Sequence, residues 1–432
     1  MHHRTLHTWF SVVALVGLVG VIGLAGGCDD KTDVAPPVPP VPMPAAAPDL
    51  ASSGAAPAPA SDLSAAAPEP PSGSEAKDHP SLFVRSSRCG ECHEKMRTDW
   101  SGSAHSRASH SPAYRKSLAA AGELAPLCQS CHLPSLAYGQ PDEQASRPSE
   151  GVSCDGCHTL SAVTVAKTQA TMKFDPSSGS KYGPIPGATG HYFHDMAYSV
   201  LHTKSEVCAG CHHLTAFKLG DQTVNIPVVS DYSDAKLYGK GKTCQDCHMP
   251  SRGTEPVAKG AKPRPNVPAH LFPGAAAFGK QIRFEPAHQG KPGEVGVEIQ
   301  HTAGHALPSG YVDRRLIVRA EFLTATGVKV ATIDRSYGIK LVDAAGKPAP
   351  FFRAARIAED RRMLPGKLYS EFFPIPSAPA GAAPAAAGPP ARVTLSLLAA
   401  PTDPELSAVY GEPELTVLKS TSLTLPARSG GR

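Results

Sequence analysis

The chain has 432 residues and a net charge of +4; 41% of its residues are hydrophobic but only 6% are aromatic. That length accommodates more than one domain, yet so few large aromatic side chains leave the interior short of its usual filling. The charge is too close to balance to argue for nucleic acid, and no nucleic-acid partner is expected.

At the N-terminus, MHHRTLHTWFSVVALVGLVGVIGLAGGC (residues 1–28) has a basic start with Arg4, an apolar run from Trp9 to Leu24, and small residues before Cys28. This is the layout of a secretory signal. The apolar run is shorter than the roughly 20 residues a membrane-spanning helix needs. Cys28 after LAGG resembles the lipid-modified cysteine of bacterial lipoproteins, although the leucine lies one place further upstream than in the usual motif. Ordinary cleavage nearby and an uncleaved anchor are the alternatives. In each case the remainder is expected to be exported to the periplasm or cell envelope, and a lipid on Cys28 would hold it at a membrane. Residues 29–80 contain 13 alanines and 13 prolines. Such a composition cannot bury enough apolar surface to fold and reads as an extended tether.

Ten of the eleven cysteines then form five pairs, each followed at once by histidine. They are CGECH (Cys89, Cys92, His93), CQSCH (Cys128, Cys131, His132), CDGCH (Cys154, Cys157, His158), CAGCH (Cys208, Cys211, His212) and CQDCH (Cys244, Cys247, His248). This spacing is the attachment signature of c-type haem. The thiols bond covalently to the haem vinyl groups, and the adjacent imidazole reaches the iron. Disulfides and structural zinc also use paired cysteines, but neither demands a following histidine five times. Five haem c groups are therefore expected, with these five histidines as proximal ligands.

The five sites lie within 160 residues, 32 for each haem. The porphyrins are expected to supply much of the interior and to approach closely enough to pass electrons. Residues 81–432 hold 39 Lys and Arg against 30 Asp and Glu. The roughly ten propionates of five haems would balance that excess.

Ten further histidines in residues 81–432 offer a second axial ligand for every iron: His105, His110, His191, His194, His202, His213, His270, His288, His301 and His305. Abundance alone assigns none of them. The segments CGECHEKMRTDWSGSAHSRA, EGVSCDGCH, LHTKSEVCAGCHH and KTCQDCHMP, however, resemble the exported multihaem cytochromes related to the tetrahaem cytochrome of ammonia oxidation and, more distantly, to hydroxylamine oxidoreductase. The resemblance spans about residues 85–275. It implies that His105, following Trp100, is a distal ligand to a haem other than that of His93. It also implies distal roles for His202 in LHTKSEVC and His270 in AHLFPG. His213 adjoins a proximal ligand and cannot reach the opposite face of the same haem. In GHYFHDM either His191 or His194 is open as a ligand, with His194 preferred.

After Pro273 the cysteines stop. EVGVEIQ, RRLIVRAEFL, VKVATIDR, GIKLVDAAG, ARVTLSLL and LTVLKSTSLTL alternate with period two between turn signals. In RRLIVRAEFL, Leu316, Val318, Ala320 and Phe322 share one face, with Arg319 and Glu321 opposite. The expectation is an antiparallel β-sandwich over residues 276–426, carrying a Pro/Ala-rich surface loop at 374–391, then a tail at 427–432. HTAGHALPSG (residues 301–310) resembles the GHxxPTG-like element that opens the β domain of many multihaem cytochromes, with Ser309 at the usual threonine. That resemblance implies His305 as a haem ligand joining the two domains.

The expected fold class is thus α+β and multidomain, with a loop-rich, mainly helical haem domain over residues 81–275 followed by the sandwich. The expected function is a relay of single electrons between redox partner proteins, with no catalytic residue assigned. The rival is an oxidoreductase acting on a small nitrogen compound at one five-coordinate haem. No CxxCK site replaces histidine with lysine, and the tyrosine cross-link of hydroxylamine oxidoreductase has no clear counterpart, which favours the relay.

Overall fold

A computed structural model describes residues 83–138, 150–191, 193–274, 279–288, 290–377 and 388–426. Cys28, the 29–80 tether, most of the 374–391 tract and the 427–432 tail lie outside the described residues. Each attachment sequence sits on a short helix or at its end. Ala125–His132, Cys154–His158, Glu206–His212 and Cys244–His248 are helical. At the first site the Ser86–Gly90 helix runs into a turn closed by the His93 N–H, which donates to Cys89 O at 2.8 Å. Residues three and four apart share a helix face, so the two cysteines and the histidine of each CxxCH project together. Helices this short hold poorly by themselves. Two are therefore capped: Ser153 accepts the Gly156 N–H, and Thr243 and Asp246 form a reciprocal capping box.

The region around these helices contains more sheet than expected, so the haem-attachment half is mixed rather than mainly helical. Leu160–Val165 pairs with Ala170–Phe174, Ser180–Gly183 with Asp195–Tyr198, and Phe217–Leu219 with Gln222–Val224. The first pair has a plain cause, since SAVTV and ATMKF are alternating segments joined by a short turn.

Beyond residue 279 the sheets are antiparallel. Tyr369–Pro374, Glu294–His301 and Ile282–Pro286 lie in that order in one. Lys329–Tyr337, Arg315–Leu323, Arg392–Ala400 and Thr416–Thr424 lie in that order in a second, while Ile339–Val342 and Arg356–Asp360 form a separate two-stranded ladder. Leu316, Val318, Ala320 and Phe322 are buried, while Arg319 and Glu321 are part-exposed. Both sheets contribute to one core: Val297, Ile299 and Phe373 come from the first, Val318, Phe322, Leu395 and Leu397 from the second. The strands Ile282–Pro286, Arg356–Asp360 and Tyr369–Pro374 lie outside the segments read as strands, being short and broken by proline or charge.

A second core draws on both sides of residue 275. Leu124, Phe217, Ile226 and Val228 pack with Val312, Ile339, Leu341, Phe351 and Tyr410. Polar contacts reinforce it: the Val312 N–H donates to Val228 O at 2.9 Å, and Arg362 reaches Asp234 and Ser230 at 2.8 and 2.9 Å. The two halves of the sequence are thereby fixed against each other, which brings the 301–310 loop up to the cysteine helices.

Candidate functional site

Three of the CxxCH histidines are oriented by backbone carbonyls. His93 Nδ1 lies 2.7 Å from Val257 O, His132 Nδ1 2.9 Å from Ala108 O, and His158 Nδ1 2.7 Å from Tyr182 O. Donation from Nδ1 fixes the tautomer and the ring direction, leaving the Nε2 lone pair for a metal. His212 differs, because its Nδ1 meets Asp231 Oδ2 at 3.0 Å, and Asp231 Oδ1 accepts the Gly310 N–H at 2.7 Å. Burial opposes charge on His212, but the Asp231 contact outweighs it and pushes the pKa up. Burial likewise opposes charge on Asp231, yet its bond to His212 holds it well below the usual carboxylate range.

Four of the five face a histidine from elsewhere in the chain. Ring centroids lie 6.3 Å apart for His93 and His194, His212 and His105, His158 and His270, and His248 and His305. Two imidazoles on opposite sides of one iron would be separated by two Fe–N bonds of about 2 Å and two nitrogen-to-centroid offsets of roughly 1.1 Å, about 6.2 Å in all. His194, His270 and His305 spend Nδ1 on Asp195 O, Pro268 O and Ala306 O at 3.2, 3.2 and 3.1 Å, so Nε2 stays available. Desolvation pushes His105 down to about 3, and His270 and His248 to about 4. These rings are held neutral, as a metal ligand must be.

Local packing explains how the distal rings are placed. Gly151 (φ +61°) lies against the chain at His105, where a Cβ would fall 2.3 Å from His105 O. The Val152 N–H donates to that same carbonyl at 2.9 Å, and Trp100 Nε1 donates to Val152 O at 2.7 Å. The EGVSC and Trp-to-His segments are thus one unit around His105. Buried Asp99 accepts the His270 N–H at 3.0 Å and is paired with Arg252.

The remaining expected residues fall as follows. His202 also stands near His158, at 6.0 Å, but its Nε2 bonds to Cys157 O at 3.0 Å while its buried Nδ1 has no partner. Two expected distal histidines therefore converge on one proximal ring. The ring that meets His132, among the described residues, is Tyr114, stacked at 4.5 Å with planes 17° apart. His213 bonds to Ala166 O and Ser233 Oγ, both at 3.0 Å, and His301 to Met363 O at 3.0 Å. Sequence reasoning missed Asp231 and Tyr114, which lie in no motif, and Asp99, which precedes Trp100 in the first motif segment but is not itself a haem ligand type.

The attachment sites also touch. The Cys89 side chain lies within interaction range of Cys154, Cys131 of Cys211, and Cys208 of Cys244, while Cys157 lies within electrostatic reach of Cys208 and Cys211. The first site thus adjoins the third, and the fourth adjoins the second, third and fifth. Paired thiols and an imidazole on the same helix face are what haem c attachment requires, and the residues present fit it; four of the five sites add a second imidazole at the axial span.

Such sites on this fold resemble those of multihaem c-type cytochromes. Residues 88–159 match the family model described as Cytochrome c554 and c-prime. The fold is similar to the crystal structure of a penta-heme cytochrome c552 from Thermochromatium tepidum, with a TM-score of 0.58 and 19% sequence identity, covering 79% of this chain and 99% of that one. No curated protein matches. At 19% identity the likeness speaks for the fold, and function must be argued from the site.

Proposed function

We propose that this chain is an exported pentahaem cytochrome c that relays single electrons through closely adjoining haems, distantly related to hydroxylamine oxidoreductase and carrying a C-terminal β-sandwich. The observation that carries the reading is the set of four histidine pairs at 6.3 Å, each made of one CxxCH histidine and one remote histidine. Bound haem supplies the one-electron iron couple. The polypeptide fixes the distances and orients the imidazoles. His93 with His194, His212 with His105, His158 with His270 and His248 with His305 are the proposed axial sets. His270 is preferred to His202 because its Nε2 is uncommitted.

The fourth site, adjoining three others, is the junction of the array. A signal sequence and a lipid on Cys28 would place the relay in the cell envelope at the end of the 29–80 tether, where its partners are redox proteins. Among the described residues no helix is long and apolar enough to cross a membrane. Intact mass together with pyridine haemochrome absorbance tests the count. Five covalent haems are expected, and fewer would end the reading.

A second reading follows from His132, whose ring meets Tyr114 where the other four proximal rings meet histidines. An iron held there by His132 alone would have an open side, where a small nitrogen compound would be reduced or oxidised. Turnover of nitrite or hydroxylamine, abolished by changes at the second site alone, is the outcome that favours it over pure relay.

A further inference from the structure

The seam between the two halves of the sequence holds a buried polar chain that electron relay does not use. Asp313 has 0% exposure. Tyr410 donates its hydroxyl to Asp313 Oδ2 at 2.5 Å, and the Tyr311 hydroxyl lies 3.0 Å from that of Tyr410. The other carboxylate oxygen, Oδ1, is buried without a hydrogen-bond partner. An ionised carboxylate so poorly solvated is costly unless it can take a proton.

Its charged and titratable neighbours do not remove that cost. Arg315 is committed to Asp403 at 2.5 Å and to the carbonyls of Val312 and Arg314. Asp403 itself opposes a second negative charge, and the Phe351 N–H favours one only in part. On the neighbouring Pro112–Ala121 helix, Lys116 reaches Gly411, beside Tyr410. Burial outweighs these groups and pushes Asp313 up to about 6.

The far end of the chain faces the second attachment site. Tyr311 and Tyr410 both lie within electrostatic reach of Cys128, and Leu124 and Leu127, beside that cysteine, pack in the same core as Tyr410. Part-buried Tyr311 gives the chain an outlet. When Asp313 is ionised, Tyr410 donates to it and Tyr311 donates to Tyr410, so the hydroxyl dipoles point toward Asp313. When Oδ2 carries a proton, Tyr410 accepts it and can donate to Tyr311, and the order reverses.

We propose that Asp313 is a proton-binding site linked to reduction of the haem on Cys128 and Cys131. One electron from the adjoining haem array takes that iron from Fe(III) to Fe(II), and one proton from solvent converts the Asp313 carboxylate to the acid. The summed charge of iron and carboxylate is unchanged, and oxidation releases the proton again. This inference rests on the proposed haem attachment.

Potentiometric titration of the holoprotein, followed optically from about pH 5 to 8, tests it. The sign follows from linkage: reduction raises the proton affinity of Asp313, so the midpoint potential falls as pH rises above about 6. One of the five components should approach a tenfold change in redox equilibrium per pH unit, or 59 mV for a one-electron couple. Asp313→Asn should remove that slope from the one component and leave the other four unchanged. Tyr410→Phe keeps the ring but removes the donor to the carboxylate, and should move the window to higher pH; it decides the matter if Asp313→Asn fails to mature. A slope that survives unchanged in Asp313→Asn, as titrating propionates would give, overturns the proposal, as does an unmoved window in Tyr410→Phe. A haem count below five would instead count against the relay reading, and intact mass distinguishes the two failures.

Discussion

The two halves of this chain fill their interiors by different means. Beyond residue 279 the core is made of the chain's own side chains, with Val297, Val318, Phe322, Phe373, Val393, Leu395 and Leu397 at 0% exposure. Among the described residues of 83–274, only Phe83 and Ile226 stand among the largest fully buried side chains. Paired cysteines and facing imidazoles occupy the space that aliphatic residues would take. One half is held by apolar periodicity; the other is organised around groups that are not amino acids.

Withholding haem gives the largest expected effect on this contrast. In protein produced without haem attachment, amide hydrogen exchange should find Cys154–His158 and Glu206–His212 unprotected, while Arg315–Leu323 and Arg392–Ala400 stay protected. Equal loss of protection in both would mean that the β half depends on haem as well.

The reverse experiment cuts into the β core. Phe322→Ala should cost about 3–5 kcal/mol of stability, as deletion of a buried aromatic ring does. Denaturant unfolding should register that loss, and the covalent haem count should be unaffected.

A finer break acts on one axial site. Gly151→Ala would place a methyl group against His105 O and displace His105 from His212. Loss of one low-spin iron signal is expected, with the other histidine pairs intact.

The smallest expected effect is electronic. Asp231→Asn replaces a carboxylate acceptor for His212 Nδ1 with a neutral amide, making the imidazole a poorer donor. The potential of the fourth haem should rise by on the order of a tenfold change in redox equilibrium, roughly 59 mV. Redox titration against the parent protein reads it directly.

What could be read in advance differs between the halves for the same physical reason. The strand Arg315–Leu323 is legible because a sheet with one buried face imposes alternation. The CxxCH sets are legible because covalent attachment imposes fixed spacing. Which distal histidine faces which proximal one is set by long-range folding, as when Asp99 captures the His270 N–H at 3.0 Å across 171 positions of sequence. The seam is hidden for a related cause: Leu124 and Val312 share a core although nothing local to either announces the other. Of the small sheets among the cysteine helices, the Leu160–Val165 and Ala170–Phe174 pair carries an ordinary alternating signal, and the others are too short to carry one.

Electron paramagnetic resonance of the fully oxidised haem-loaded protein, with spins quantified, tests the histidine pairing most directly. Four low-spin irons of bis-imidazole character are expected, from the sets at His93, His158, His212 and His248. Three or fewer would contradict the pairing.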